Sequence, residues 1–454
     1  MLTMVLNVLV IQPAYPPSCV FSVKPVEIPL SHIIWAEANA SSNGIRVSAL
    51  VRKGTTNGVL THWDCTVTGD AAAAESWATS LMAAAYKDVQ PRRKFRVFVN
   101  PVGGQGHGKT IWTKRVKPIF DAAHAQVDIT VTERGGHAGE LVREMALDYD
   151  AILTVSGDGL IHEILNGLAN RPDARKALQI PVAPIPTGSG NGFSVSLIGL
   201  KEGLDPGMAA LNAIKGQPMD IDLCSMTQKD SKVYTFMSQS MGLMADCDLG
   251  TENLRWMGNA RFMFGFLRGL VSFKSCPIEL SICVSSDDKK KMVESHRALR
   301  SKHIASSSRS NLLEGDEEAE LPPLRYAEGP DENWITFEKP VLYVYAGKVP
   351  YVSIDLCQFP IVHPNDGLID LVIQERSNRG EVVKAIGVAP TGKQYWIESQ
   401  HYFKVHAYRA KPLGPGFLSV DGEAYPFEEF QVEAHAGLAT TLSMLGHYAV
   451  DFIG

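Results

Sequence analysis

From Arg92 onward, short hydrophobic runs alternate with amphipathic stretches, and glycine-rich turns separate the two. KFRVFVN predicts a strand and TIWTKRVKPIFDAAHA a helix; QVDITVTE, DAILTVSG and IPVAPIPTG read as further strands, HAGELVREMALD and LIHEILNGLAN as further helices. Strands that alternate with helices pair in parallel, each helix forming a crossover, so residues 91–214 are predicted to be an α/β domain with a doubly wound parallel sheet. After about Ile214 the rhythm fades into strand-like runs such as KVYTFMSQSMGLMAD, PIELSICVS, PVLYVYAG, GLIDLVIQ, YFKVHAYRA, GFLSVDGEAY and FQVEAHAG, which predict a second, β-rich domain over 215–454. One helical stretch interrupts it, ENLRWMGNARFMFGFLRGLVSF, dense in Phe, Met and Leu, with Arg255, Arg261 and Arg268 as its basic side chains. The segment 301–332 is serine-rich and then acidic; it lacks the apolar content to order itself and predicts a flexible insertion. Before the sheet, residues 1–90 carry the short runs CVFSVKP, HIIWAEAN, IRVSALVRK and GVLTHWDCTV, closed by the helical AAAAESWATSLMAAAYKD, and predict a small β-rich unit.

Composition narrows the classes. A chain of 454 residues with 45% hydrophobic content can bury several cores. Its net charge of −6 and the lack of a basic stripe with interleaved aromatics argue against nucleic acid as a partner. The seven cysteines, odd in number and without C-x-x-C spacing, point to reduced thiols in a cytosolic setting. The apolar opening MLTMVLNVLVIQPAYP has no basic flank and is too short to span a bilayer, and no other stretch approaches the roughly 20 apolar residues a membrane helix needs. Any membrane contact is therefore expected to be peripheral.

The chemistry has to come from four turns that fall at the carboxyl ends of the predicted strands, where ligands of such sheets sit: NPVGGQG, TERGGH, SGDG and PTGSGN. A glycine-rich turn into a helix offers N–H groups to an anion, and it also simply makes a tight turn. Four at one sheet edge form a candidate nucleotide site. SGDG sets Asp158 just beyond a buried strand, where a carboxylate needs partners or a task. GGQGHGKT also matches the P-loop pattern, in which Lys109 would reach phosphates, Thr110 would hold Mg²⁺ and an acid would end a neighbouring strand. Here the acid lies inside SGDG instead.

NPVGGQG, SGDGLIHEILNGL, PTGSGN, ADCDLGTE, NDGLIDLVI and VDGEAYPF together resemble the diacylglycerol-kinase-type catalytic fold, and specifically the sphingosine (long-chain base) kinases, from about Lys94 to Phe430. The resemblance implies an ATP- and Mg²⁺-dependent phosphorylation of a sphingoid base, in a cleft between the nucleotide and lipid domains, and makes the P-loop match coincidental. It implies that Asn100, Pro101, Val102, Thr132, Glu133, Arg134, Gly135, Gly136, Glu163, Gly188, Ser189, Gly190, Arg255, Arg261, Asp421, Gly422 and Glu423 contact ATP. Ser156, Gly157, Asp158 and Gly159 would meet the lipid's reacting hydroxyl, Asp248 would bind its head group, and Asp158 would be the general base; it assigns no metal ligands. The Phe/Met-rich segment 262–273 would wall the acyl-chain pocket, although a hydrophobic helical stripe is more often core. The chain departs from the family at Gln105, Gly135 and Gly136, where basic residues are common, so phosphate contacts there fall to backbone N–H groups or other arginines. The N-terminal order of strands and a closing helix with Trp77 resembles a pleckstrin-homology-type domain. Diacylglycerol and ceramide kinases of the same fold, a soluble-substrate enzyme like NAD kinase, and a catalytically silent lipid-binding protein stay as alternatives, and a homodimer is left open.

Overall fold

The computed structural model describes residues 2–5, 7–12, 25–39, 42–87, 89–188, 190–229, 231–251, 254, 260–305, 320–326 and 334–452. The expected parallel sheet forms from Lys94–Val99, Gln126–Val131, Ala151–Ser156 and Val182–Pro186, with Lys94–Val99 and Ala151–Ser156 at its centre. All its pairs are parallel, with Val97 lying between Ile129 and Leu153. The pleat sends alternate side chains to opposite faces. Phe95, Val97 and Val99 join Ala151, Leu153 and Val155 in a core shared with the N-terminal unit, while Phe98 and Ile152 face a core that runs on into the β-rich half.

That half is an antiparallel sheet curled on itself. Along it lie Ser231–Thr235, Gln217–Gln228, Phe430–Ser443, Gln400–Pro412, Ile369–Glu375, Val341–Gly347, Ser238–Gly242, Leu418–Val420 and Glu423–Tyr425. Thr235 and Ser238 are separated only by Phe236 and Met237, yet their strands stand far apart in this order, so the sheet must bend round to bring its ends together. The stretch 241–246, expected as strand, turns into the helix Leu243–Asp248 after Gly242. The helices Lys289–Ala305 and Arg379–Val388 were not expected. The first runs into the segment expected to be flexible: residues 301–305 continue it, and Arg325 and Tyr326 donate their N–H groups to Glu433 (3.0 and 3.1 Å). The rest of that segment, 306–319 and 327–332, lies outside the described residues.

The Phe/Met-rich helix, Ala260–Ser272, lies on Leu243–Asp248 through two glycines. A side chain at Gly265 would start 2.7 Å from Thr251, and one at Gly269 would start 2.0 Å from Leu243. This close seat leaves Met263, Phe264, Leu267 and Val271 exposed on the other side. At the amino end, Leu2–Val5, Val8–Ile11 and Val26–Pro29 form one small antiparallel sheet and Ile33–Ala38, Gly44–Lys53 and Thr56–Thr66 another, with the helix Ala71–Tyr86 alongside. The run CVFSVKP lies almost wholly outside the described residues. No disulfide joins the six described cysteines. Among the described residues no helix is long and apolar enough to cross a membrane.

Candidate active site

All four parallel strands end at one edge, and hydrogen bonds tie their turns together there. The N–H of Asn100 donates to Val155 O (3.1 Å), and its side-chain Oδ1 accepts from the N–H groups of Val102 and Gly103 (3.1 and 3.2 Å). Thr187 N donates to Ser156 O (3.2 Å) and Asp158 N to Gly190 O (3.1 Å). Asn191 locks the third and fourth turns side by side: its Nδ2 donates to Ser156 O (2.9 Å) while its Oδ1 accepts from Gly188 N (3.0 Å). In the second turn Gly136 caps the helix His137–Glu144 at φ 81°, a left-handed conformation that disfavours any side chain, which gives a local reason for glycine there. At Gly135, Gly190 and Gly422 nothing lies within 4 Å of where a side chain would begin. Those backbones are open to a bound anionic group, so the edge fits a nucleotide's phosphates.

The P-loop match fails on geometry. The helical path already starts at Gly103–Gly106, and Gly-Lys-Thr falls within the next helical stretch, Gly108–Ile111, which runs into a π-helical turn at Trp112–Val116. Gly108 is buried against the backbone, where a side chain would begin 2.6 Å from Asn100 O, while Lys109 and Thr110 are exposed. In a P-loop the chain wraps the phosphates before its helix begins.

Asp158 heads the helix Gly159–Ala169, and its carbonyl accepts from the N–H groups of Ile161 and His162. Its carboxyl group is buried, and Oδ1 has no hydrogen-bond partner. Burial pushes its pKa up to about 7; the N–H groups of Gly192 and Phe193 pull the other way, and the charge of Asp421 adds to the rise. A carboxylate in that condition can take up a proton near neutral pH.

The 421–423 turn closes over this point from the β-rich half. Asp421 itself turns inward. Its Oδ1 accepts from Thr235 Oγ1 (2.7 Å) and from the N–H groups of Met237 and Ser238 (3.0 and 2.8 Å). Its Oδ2 accepts from Phe236 N (3.2 Å) and lies 2.7 Å from His162 Nδ1. A carboxylate so occupied anchors the turn, and a nucleotide contact from this stretch falls to Gly422 and Glu423. Glu423 is exposed and reaches Gly159 so closely that a side chain there would begin 2.6 Å from Glu423 Oε1.

Asp248 stands at the last turn of Leu243–Asp248, not at the start of a helix. Its Oδ2 accepts from Ser419 Oγ (2.7 Å), and its Oδ1 lies 3.6 Å from the Arg261 guanidinium, which also donates to Asp248 O (3.1 Å). Ser419 sits just before the 421–423 turn, so the residues expected at the lipid head group and at the nucleotide are brought together. Glu163 caps the helix of the second turn, its Oε1 accepting from Gly139 N (3.0 Å), and Arg134 pairs with Glu140 (2.6 Å) at the surface. Thr132 is buried, with its N–H donating to Val99 O (2.9 Å), and Val102 is 79% exposed. Ser189 and Arg255 lie outside the described residues. His162, Tyr425 and Asn191 were not singled out beforehand. All three fall inside motifs read from the sequence, Asn191 in PTGSGN, His162 in SGDGLIHEILNGL and Tyr425 in VDGEAYPF, but no role pointed to them there.

The comparisons agree with this architecture. The family described as diacylglycerol kinase catalytic domain matches residues 94–226. Sphingoid long chain base kinase 4 of Schizosaccharomyces pombe is 34% identical over 427 residues, 92% of this chain and 88% of that one. Human sphingosine kinase 1 is 27% identical over 355 residues, 75% and 88% of the two chains. A solved diacylglycerol-kinase-like protein from Bacillus anthracis superposes with a TM-score of 0.54 over 78% of this chain and 97% of its own; at 19% identity it speaks for the fold alone. With a parallel sheet whose turns converge on Asp158, a curled antiparallel sheet closing over them, and a relative alike over nearly its whole length, the chain belongs to the sphingoid long-chain-base kinases, lipid kinases with a diacylglycerol-kinase catalytic domain.

Proposed function

We propose that the chain transfers the γ-phosphoryl group of ATP to the primary hydroxyl of a sphingoid long-chain base, with Asp158 as general base. The observation that carries this reading is the buried Asp158 carboxyl, with an unpartnered oxygen and a pKa near 7, at the meeting point of four phosphate-competent turns. Phosphoryl transfer asks a protein mainly for positioning and charge neutralisation. The glycine turns, open at Gly135 and Gly190, bind the phosphates, and Arg261 approaches from the β-rich half. The Asp158 carboxylate accepts the hydroxyl proton as the oxygen–phosphorus bond forms and the bond to the leaving nucleotide breaks. Mg²⁺, when bound, neutralises the phosphate charge. Among the described residues no group of three or more His, Cys, Asp or Glu side chains converges on a metal position.

Asp248 supplies the head-group specificity. A sphingoid base carries an ammonium on the carbon beside its primary hydroxyl, whereas diacylglycerol and ceramide carry no cation there, and a half-buried carboxylate tied to the 421–423 turn favours the former. Peripheral membrane contact is made by the exposed Met263, Phe264, Leu267 and Val271 face, which a sphingoid base can cross from the bilayer. The two small sheets and helix of residues 1–90 act as a pleckstrin-homology-like unit packed on the back of the parallel sheet. Incubation with Mg-ATP and, separately, sphingosine, ceramide, diacylglycerol and NAD tests the reading: phosphorylated product from sphingosine supports it, and product from another member of the panel instead overturns it.

A further inference from the structure

His162 lies one helical turn beyond Asp158, and the reaction as derived gives it no task. Its ring is buried and bridges the two halves of the molecule. Nδ1 is 2.7 Å from Asp421 Oδ2, Nε2 is 2.9 Å from Tyr425 OH, and the ring meets that of Tyr425 edge-on at 75°. Both partners flank the turn that carries Glu423. Asp421 leads into it at φ 51°, Gly422 follows at φ 85°, and Tyr425 ends the short strand Glu423–Tyr425. A backbone in two successive left-handed conformations holds its shape only where its surroundings fix it. The fixing groups are the four donors at 235–238 from one side and His162 from the other. Of these only His162 belongs to the helix headed by Asp158.

We infer that His162 is a positioning residue for phosphoryl transfer: clamped between Asp421 and Tyr425, it sets the 421–423 turn in register with the 156–159 turn and so presents the Glu423 carboxylate beside Asp158. The inference rests on the reading of Asp158 and Glu423 given above. A purely structural rivet would lower the melting temperature and leave the turnover of folded enzyme intact. A positioning residue lowers turnover with little change in KM, because misplacement by about 1 Å costs roughly 10²-fold.

The test is a double-mutant cycle on the full chain, with sphingosine and Mg-ATP as substrates and turnover normalised to folded protein. His162→Leu should reduce kcat by about 10²-fold with both KM values within about threefold. His162→Asn, whose amide N–H can stand in for Nδ1 toward Asp421, should recover most of the lost turnover. In a Glu423→Gln background, His162→Leu should cost less than about threefold, since the group it positions has already been disabled. Independent losses in the cycle, no recovery by His162→Asn, or a fall in melting temperature with unchanged kcat would each overturn the inference. Asp158→Asn, measured alongside, separates the two claims: near-normal turnover there removes Asp158 as the base, while the His162–Glu423 coupling, a ratio of turnovers, is read regardless.

Discussion

Two aspartates, each beside a glycine in a sharp turn, one buried and one half-buried, serve opposite ends in this molecule. Asp158, in SGDG, has an unpartnered oxygen and a pKa raised by burial to about 7. Asp366, in NDG, accepts from Lys348 Nζ and Lys404 Nζ, both at 2.7 Å. Burial alone would raise its pKa as well, but the two ammonium groups outweigh it and hold the carboxyl well below its ordinary range. The same lysines also reach Asp222 (2.8 Å) and Asp370 (2.6 Å), and Tyr402 donates to Asp370, which makes a closed ionic cluster inside the curled sheet. Desolvation therefore does not decide what a buried acid does. Of these two, the carboxyl supplied with cations is held ionised as an anchor, and the one without them can accept a proton.

The largest effect should come from Asp158→Asn. Turnover is expected to fall by about 10²–10⁴-fold, the usual range for loss of a general base, with nucleotide affinity within a few-fold; retention of turnover would break the contrast at its first term. Asp366→Ala should instead act on stability, by about 1–3 kcal/mol, because it removes the carboxylate that Lys348 and Lys404 share and leaves their charges to Asp222 and Asp370 alone. Urea unfolding measures it, and a loss under about 1 kcal/mol would mean the cluster re-pairs around Asp222 and Asp370.

A pH series sharpens the same contrast. The folded pKa of Asp158 lies above its ordinary 3.8, so between about pH 4 and 7 the folded chain keeps a proton that the unfolded chain releases. This group's contribution to stability is thus present at low pH and lost as pH rises through about 7. Asp158→Asn should be more stable than the parent at pH 8, with the gap closing by pH 4. The parent's kcat should rise with pH through about 7, as the base ionises.

Asp248 stands between the extremes, half-buried and already sharing Arg261 and Ser419. Asp248→Asn should raise KM for sphingosine about tenfold, near 1.4 kcal/mol, and an unchanged KM would remove it from the head group. The smallest effect belongs to a lysine unlike Lys348: the exposed Lys109, whose replacement by Ala should change activity less than about twofold. Near-complete loss would restore the P-loop reading.

The sheet edge where the four turns meet was legible because local signals build it. Each turn follows a hydrophobic run and precedes an amphipathic one, and parallel pairing then delivers all four to one side. The poor fit of Gly-Lys-Thr to a P-loop could also be read, since the acid sat in SGDG. The inward role of Asp421 could not, because its donors come from residues 235–238 and from His162, brought near only when the sheet curls. His162 itself reads as one more residue in a helix. The flexible insertion was judged on composition, which carries no trace of Arg325 and Tyr326 docking on Glu433, a contact made across 108 residues of sequence.

The Phe236–Met237 turn lies at the seam where the two ends of the curled sheet meet, and the carboxylate seated there arrives from residue 421. The contact between His162 and Asp421 spans 259 residues of sequence. The parallel sheet and its four turns lie within residues 94–191, long before residue 421 in the chain. The turn that faces it joins Leu418–Val420 to Glu423–Tyr425, the first of which pairs with the much earlier Ser238–Gly242. The closing side of the site is thus supplied by sequence far from the turns it faces, so a chain lacking residues 421–425 should keep the parallel sheet's turns and lose the carboxylate that holds the seam together.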